Sequence, residues 1–184
     1  MFDLNNPEIL RWTNPDCGEE QWAPTPQWKC ENILDCARRY DLRTFVETGT
    51  LAGDTVEYVR GYFDQVHSIE LSPTYYGRSQ QRFESAPNVH LYFGDSGEIL
   101  KDVLSSLKTP ILLYLDAHGS GGDTISGCDP LERELQTFFK SGTEGMVVID
   151  DMQVSSPYAL NIASEYGWNS ENKFGVLMLT PRTR

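Results

Sequence analysis

The side chains able to do chemistry in this sequence are mostly acids, and they recur at one kind of place, the end of an apolar run. Residues 45–53 read Phe-Val-Glu-Thr-Gly-Thr-Leu-Ala-Gly, which sets Glu47, Gly49 and Gly53 at the spacing E-x-G-x-x-x-G, with Thr50 inside the turn. A strand entering such a turn leaves backbone amides and a bare backbone face open, and a nucleotide-like ligand can approach closely there. Further apolar runs lead into Glu70, into Asp95-Ser96, into Asp116 and into Asp150-Asp151. A carboxylate accepts from two adjacent hydroxyls or from an amine. Asp116, Asp150 and Asp151 together offer the hard oxygen ligands that suit Mg²⁺ or Ca²⁺. His118 stands two residues past Asp116, and an imidazole that titrates near neutrality suits a general base.

The elements that must position these groups are legible from periodicity. Residues 27–40 place Cys30, Ile33, Leu34 and Ala37 at helical spacing, and 44–48 read as a strand. A helix is predicted over 54–63 and a strand over 65–71. Ser72-Pro73 then opens a second helix as cap and first turn. A strand at 89–93 ends in Gly94-Asp95-Ser96, and the following helix carries Ile99, Leu100, Val103, Leu104 and Leu107 on one face. Residues 111–115 form an unbroken apolar run, the mark of a strand buried on both sides. After it come a glycine-rich loop (117–127), a helix carrying Leu131, Leu135, Phe138 and Phe139, a strand at 146–149, a short helix near 158–166 and a last strand near 174–179. Such alternation predicts an α/β, Rossmann-like doubly wound fold: a mostly parallel sheet with helices on both faces. Right-handed crossovers put the carboxyl ends of its strands on one edge. All the acids named above fall on that edge, where open α/β sheets bind their ligands.

Bulk properties narrow the partners. At 184 residues the chain reads as one domain, 27–184, preceded by an irregular proline-containing arm, 1–26, in which Trp12 and Trp22 suggest packing on something. A formal charge of −12 repels phosphate backbones, so no nucleic-acid partner is expected. No apolar run is long enough to span a bilayer, and the first residues lack a signal-peptide pattern, so the expectation is a cytoplasmic protein with no membrane association. Cys17, Cys30, Cys36 and Cys128 show no C-x-x-C pair or zinc spacing and read as reduced thiols.

These motifs, over about residues 27–151, resemble the class I S-adenosylmethionine-dependent methyltransferases. Glu47-Thr48-Gly49-Thr50-Leu51-Ala52-Gly53 stands where that family has an acid followed by alternating glycines, with Leu51 at a position where glycine is common. Glu70 matches the family's acid after the second strand and Asp95 its acid after the third. Phe-Val-Glu-Thr-Gly-Thr, Gly-Asp-Ser-Gly and Leu-Asp-Ala-His-Gly-Ser-Gly-Gly are similar to segments of a bacterial group of small methyltransferase-like proteins, and the ends of strands four and five resemble the metal-dependent O-methyltransferases. The resemblance implies S-adenosylmethionine as cofactor. Glu47 and the Gly49 backbone would lie at its methionine end, with Thr50 among the cofactor-binding residues and Gly53 allowing close helix packing. Glu70 would take the ribose, and Asp95, helped by Ser96, the adenine amine. It also implies a divalent cation such as Mg²⁺ on Asp116, Asp150 and Asp151, with His118 and Asp116 in the catalytic set.

The resulting expectation is methyl transfer to a small polar small-molecule acceptor at a hydroxyl, metal-assisted. Two other readings stay open: a non-catalytic nucleoside-binding protein of the same fold, and a metal-dependent enzyme using the aspartates alone. A nicotinamide-binding site fits less well, since Gly49-Thr50-Leu51 lacks the second glycine of G-x-G-x-x-G. Acids and turn serines also cap helices, which is the plain reading of Asp95-Ser96-Gly97. Only one of the two antiparallel strands that usually end a methyltransferase sheet is visible, which predicts an edge reduced or covered in a homodimer.

Overall fold

A computed structural model describes residues 7–13, 20–117, 130–150 and 156–182. Two short strands, β1 (Ile9–Thr13) and β2 (Glu20–Pro24), pair antiparallel, so the segment expected to be irregular carries a small ladder of its own. The side chains of Trp12 and Trp22, one on each strand, lie outside the described ones.

The remaining strands are β3 (Thr44–Thr48), β4 (Gln65–Glu70), β5 (Val89–Phe93), β6 (Ile111–Leu115), β7 (Gly145–Ile149), β8 (Trp168–Lys173) and β9 (Val176–Pro181). They form one sheet in the order β5-β4-β3-β6-β7-β9-β8. The first five are mutually parallel; β9 runs antiparallel to β7, and β8 antiparallel to β9. The chain winds outward from β3 to β5, returns to place β6 against β3, and winds outward the other way. The reversal lies between β3 and β6.

Among the described residues, six helices cover the two faces: α1 (Pro26–Arg39), α2 (Asp54–Val59), α3 (Pro73–Arg82), α4 (Ser96–Ser106), α5 (Leu131–Ser141) and α6 (Pro157–Glu165). On one face Trp28, Ile33 and Ala37 of α1 and Val56 and Val59 of α2 pack on Phe45, Val66, Leu112, Tyr114 and Val148. On the other, Leu100 and Leu104 of α4, Leu135 and Phe138 of α5 and Ile162 of α6 pack on Val46, Leu113, Leu115, Val147 and Ile149. Alternate residues of each central strand serve the two cores, which is why β6 is apolar at every position.

The sheet corrects one expectation. Its edge is complete, because Trp168-Asn-Ser-Glu-Asn-Lys173 forms β8. That strand is almost wholly exposed, so it has no buried face to imprint an apolar period on the sequence. Helix α2 is also shorter than expected, ending at Val59, although Phe63 beyond it is still buried and packs beside Phe45.

Candidate functional site

At the carboxyl edge, the turn after β3 is held by polar groups from its neighbours. Glu47 is 1% exposed, and its Oε2 accepts from Ser68 Oγ of β4 at 2.7 Å. Ser68 Oγ also bonds Thr50 Oγ1 at 2.6 Å. Burial raises the Glu47 carboxyl well above its usual range, and the charges of Asp116 and Glu70 push it further the same way. Gly49 has φ +89, and its amide donates to Ile69 O at 2.9 Å. A side chain there would lie 2.5 Å from the Asp116 carbonyl oxygen, so a bare Cα is what lets the turn rest against the end of β6. Leu51, at the position where the resembled family favours glycine, has φ +48. That conformation costs an L-residue about 1–2 kcal/mol. The Leu51 amide is stabilised in it by a 2.6 Å bond to Glu70 Oε2.

Glu70 is the hub of this turn. Its other oxygen, Oε1, accepts from the amide of Ser72 at 2.7 Å, and Ser72 caps α3 by accepting from Tyr75 N. One buried carboxylate therefore ties the glycine turn to the start of the next helix. Each of its oxygens has two lone pairs, so capacity for vicinal hydroxyls remains after these bonds. Gly53 sits where the Phe83 ring packs, 2.7 Å from the place a Cβ would occupy.

Asp95 caps α4 through Gly97 N at 2.8 Å and pairs with Arg133 of α5 at 3.1 Å. Ser96, the first helical residue, is buried. Asp116 is half-buried, and its amide donates to Thr48 O at 3.1 Å. Asp150 is completely buried. Its Oδ2 accepts from the Tyr114 hydroxyl at 2.6 Å and from the Lys29 ammonium at 2.6 Å. Burial, then the charges of Asp116 and Asp150, holds the Tyr114 hydroxyl far above its ordinary pKa, so it stays a donor. His118, Asp151 and the glycines 119–127 lie outside the described residues.

Glu47, Glu70 and Asp116 are thus brought together around the β3–β6 reversal, with Asp150 one strand further on, while Asp95 stands on the β5 side. No group of three or more metal-binding side chains forms among the described residues. Sequence reasoning missed Ser68, Tyr114, Arg133 and Lys29. Two of these left a trace: Tyr114 is the one polar handle in Ile-Leu-Leu-Tyr-Leu, and Lys29 falls on the same helical stripe as Ile33, Cys36 and Ala37. A groove of about 560 Å³ lined by Tyr40, Phe139, Tyr166 and Trp168 lies at the amino ends of β6 and β7, away from every acid described here.

No protein-family model matches the chain, and no curated protein matches its sequence. Solved structures match its fold. An SAH-bound methyltransferase of Podospora anserina, PaMTH1, superposes with a TM-score of 0.64 at 14% identity, over 86% of this chain and 80% of that one. The precorrin-6y C5,15-methyltransferase of Geobacter metallireducens gives 0.60 at 17% identity, over 84% and 87%. The SAH complex of the N-methyltransferase NodS of Bradyrhizobium japonicum gives 0.56 at 12% identity, over 83% and 84%. What the chain shares with these three at such identities is the Rossmann-like methyltransferase fold.

Proposed function

We propose that this chain is an S-adenosylmethionine-dependent methyltransferase acting on a small polar acceptor, at a hydroxyl. One observation carries the reading: Glu47, Gly49, Glu70 and Asp116 meet at the carboxyl edge where the strand order reverses, on a sheet whose fold matches solved methyltransferases. Ligands of open α/β sheets bind at that reversal. When bound, the cofactor supplies a methyl group on a cationic sulfonium. The chain's own acids suit it: Glu70 accepts from the ribose hydroxyls, Asp95 from the adenine amine, and the negative edge favours the sulfonium charge. Glu47, Ser68 and Thr50 hold the turn from beneath. His118 is the proton acceptor in this reading, with Asp116 beside it. The divalent cation expected on Asp116, Asp150 and Asp151 would have to displace the ammonium that Asp150 holds, and this reading does not depend on it.

Titration calorimetry with S-adenosylhomocysteine tests the cofactor class. The expected result is micromolar binding to the wild type and binding at least about tenfold weaker in Glu70→Gln, the effect of losing one good polar contact of about 1.4 kcal/mol. Thermal melts of the same samples separate lost contact from a loosened turn. No binding at millimolar ligand defeats the proposal. Binding without turnover of labelled S-adenosylmethionine across an acceptor panel would favour the non-catalytic nucleoside-binding protein.

A further inference from the structure

Asp150 is not a bare ligand waiting for an ion. Its buried Oδ2 takes two donors at once, Lys29 Nζ and Tyr114 Oη, each at 2.6 Å. A carboxylate oxygen has two lone pairs, and both of this one's are spent. A divalent ion using that oxygen would have to expel the ammonium and then sit near it, with like charges close together in a poorly screened setting. A divalent ion on Asp150 Oδ2 does not fit the site as the chain folds.

Lys29 is also held where it is. Thr25 caps α1 by accepting from Trp28 N at 3.2 Å, and the Lys29 amide bonds Thr25 O at 3.0 Å. Trp28, 6% exposed, packs edge-on against Phe174 with ring centres 5.4 Å apart. That contact pins the first turn of α1 to the β8–β9 connection, from where Lys29 reaches the end of β7. The Lys29 side chain is 19% exposed, so it is largely fixed by its surroundings without being sealed from solvent.

We propose that Lys29 is the resident cation of this site: its ammonium holds the place on Asp150 that a divalent ion would take and presents its charge to an oxygen of the acceptor. The first half stands on the ion pair alone. The second rests on the methyltransferase reading and implies transfer that needs no added metal.

The test uses the full chain, Mg²⁺ and Mn²⁺ as probes, and the variants Lys29→Met, Lys29→Arg, Asp150→Asn and the Lys29→Met/Asp150→Asn pair. Wild type should give no saturable heat with either ion at millimolar concentration, and its affinity for S-adenosylhomocysteine should be the same in EDTA and in Mg²⁺. Lys29→Met removes the cation from a buried carboxylate and should lower the melting temperature by roughly 5 °C or more. The double variant, which also removes the carboxylate charge, should recover most of that loss. Saturable Mg²⁺ binding by the wild type that Asp150→Asn abolishes overturns the proposal. So does a Lys29→Met protein as stable as the wild type, or a double variant that recovers nothing. Should Lys29→Met fail to fold, the wild-type metal titration and a folded Lys29→Arg still decide. Failure of the cofactor to bind would defeat the methyltransferase reading without touching the metal titration or the melts, so the two failures are distinguishable.

Discussion

Replacing Gly49 by alanine should cost far more than the same change at Gly142, and the difference measures how tightly the turn after β3 is pressed on β6. Both glycines have positive φ, +89 and +71. At both, alanine incurs about 1–2 kcal/mol for the left-handed conformation. Both also gain about 0.4–1 kcal/mol through a less flexible unfolded chain. The two sites differ in surroundings. An alanine Cβ at Gly142 meets nothing within 4 Å, whereas at Gly49 it lies 2.5 Å from the Asp116 carbonyl oxygen and 3.0 Å from its carbon. Those are backbone atoms at the end of a buried central strand, so relief requires moving the turn or the strand, a strain of about 1–3 kcal/mol. Gly49→Ala should therefore lose about 3 kcal/mol and Gly142→Ala about 1 kcal/mol. Urea unfolding monitored by tryptophan fluorescence gives both values, and slopes equal to the wild type's would confirm that stability changed without a change in the compactness of either state. Calorimetry with S-adenosylhomocysteine adds the functional arm: weakened binding in Gly49→Ala and unchanged binding in Gly142→Ala. Equal stability losses would refute the close contact. A Gly49→Ala protein with full stability and full affinity would remove this turn from the site.

Two further predictions concern polar groups. His67, buried on β4, bonds Tyr92 Oη at 2.9 Å and stacks on His90, and burial followed by the His90 charge lowers its pKa from 6.5 to about 4. The folded state resists the proton that the unfolded chain accepts, so His67 costs nothing above pH 6.5 and subtracts stability as pH falls from there to about 4, by at most about 3 kcal/mol. Glu47, whose pKa is raised, acts in the opposite sense as pH falls, so the readout is the difference between wild type and His67→Phe in urea melts from pH 7 to 4. A difference that does not change with pH refutes the assignment. Asp95→Ala should cost about 1–2 kcal/mol through the lost cap of α4 and the partly exposed Arg133 pair. Asp95→Asn, which still caps, should restore most of it in thermal melts. Equal losses in both variants would put the stabilisation in the ion pair instead.

The architecture of the central sheet was legible because its strands advertise themselves. Ile111–Leu115 is apolar throughout, Ser72-Pro73 and Asp95-Ser96 announce helix starts, and each acid falls at the end of a run. Parallel crossovers then leave little freedom in where those ends go. Three things were not legible, each for a physical reason. The polar β8 is specified by its ladder to β9, not by a buried face. Strands β1 and β2 lie among prolines that read as loop. The partners of the acids are set by tertiary approach: Lys29 meets Asp150, and Arg133 meets Asp95, across distances in sequence that no local pattern spans. The bond of Asp95 to the Gly97 amide was legible as a helix cap, but the bonds of Glu70 to the amides of Leu51 and Ser72 were not.

The position of β9 has a consequence for how the protein is made. In synthesis it follows β8, yet in space it lies between β7 and β8. While the ribosome is still adding residues 176–181, β7 shows an open row of backbone donors and acceptors at Val147–Ile149, and β8 has no strand to lie against. From the completion of β7 until β9 follows, the nascent chain therefore carries an apolar, pairing-competent edge, the kind of edge that invites association with other chains. β9 closes it, so premature termination a few residues short of Val176 would release a sheet split at its own seam.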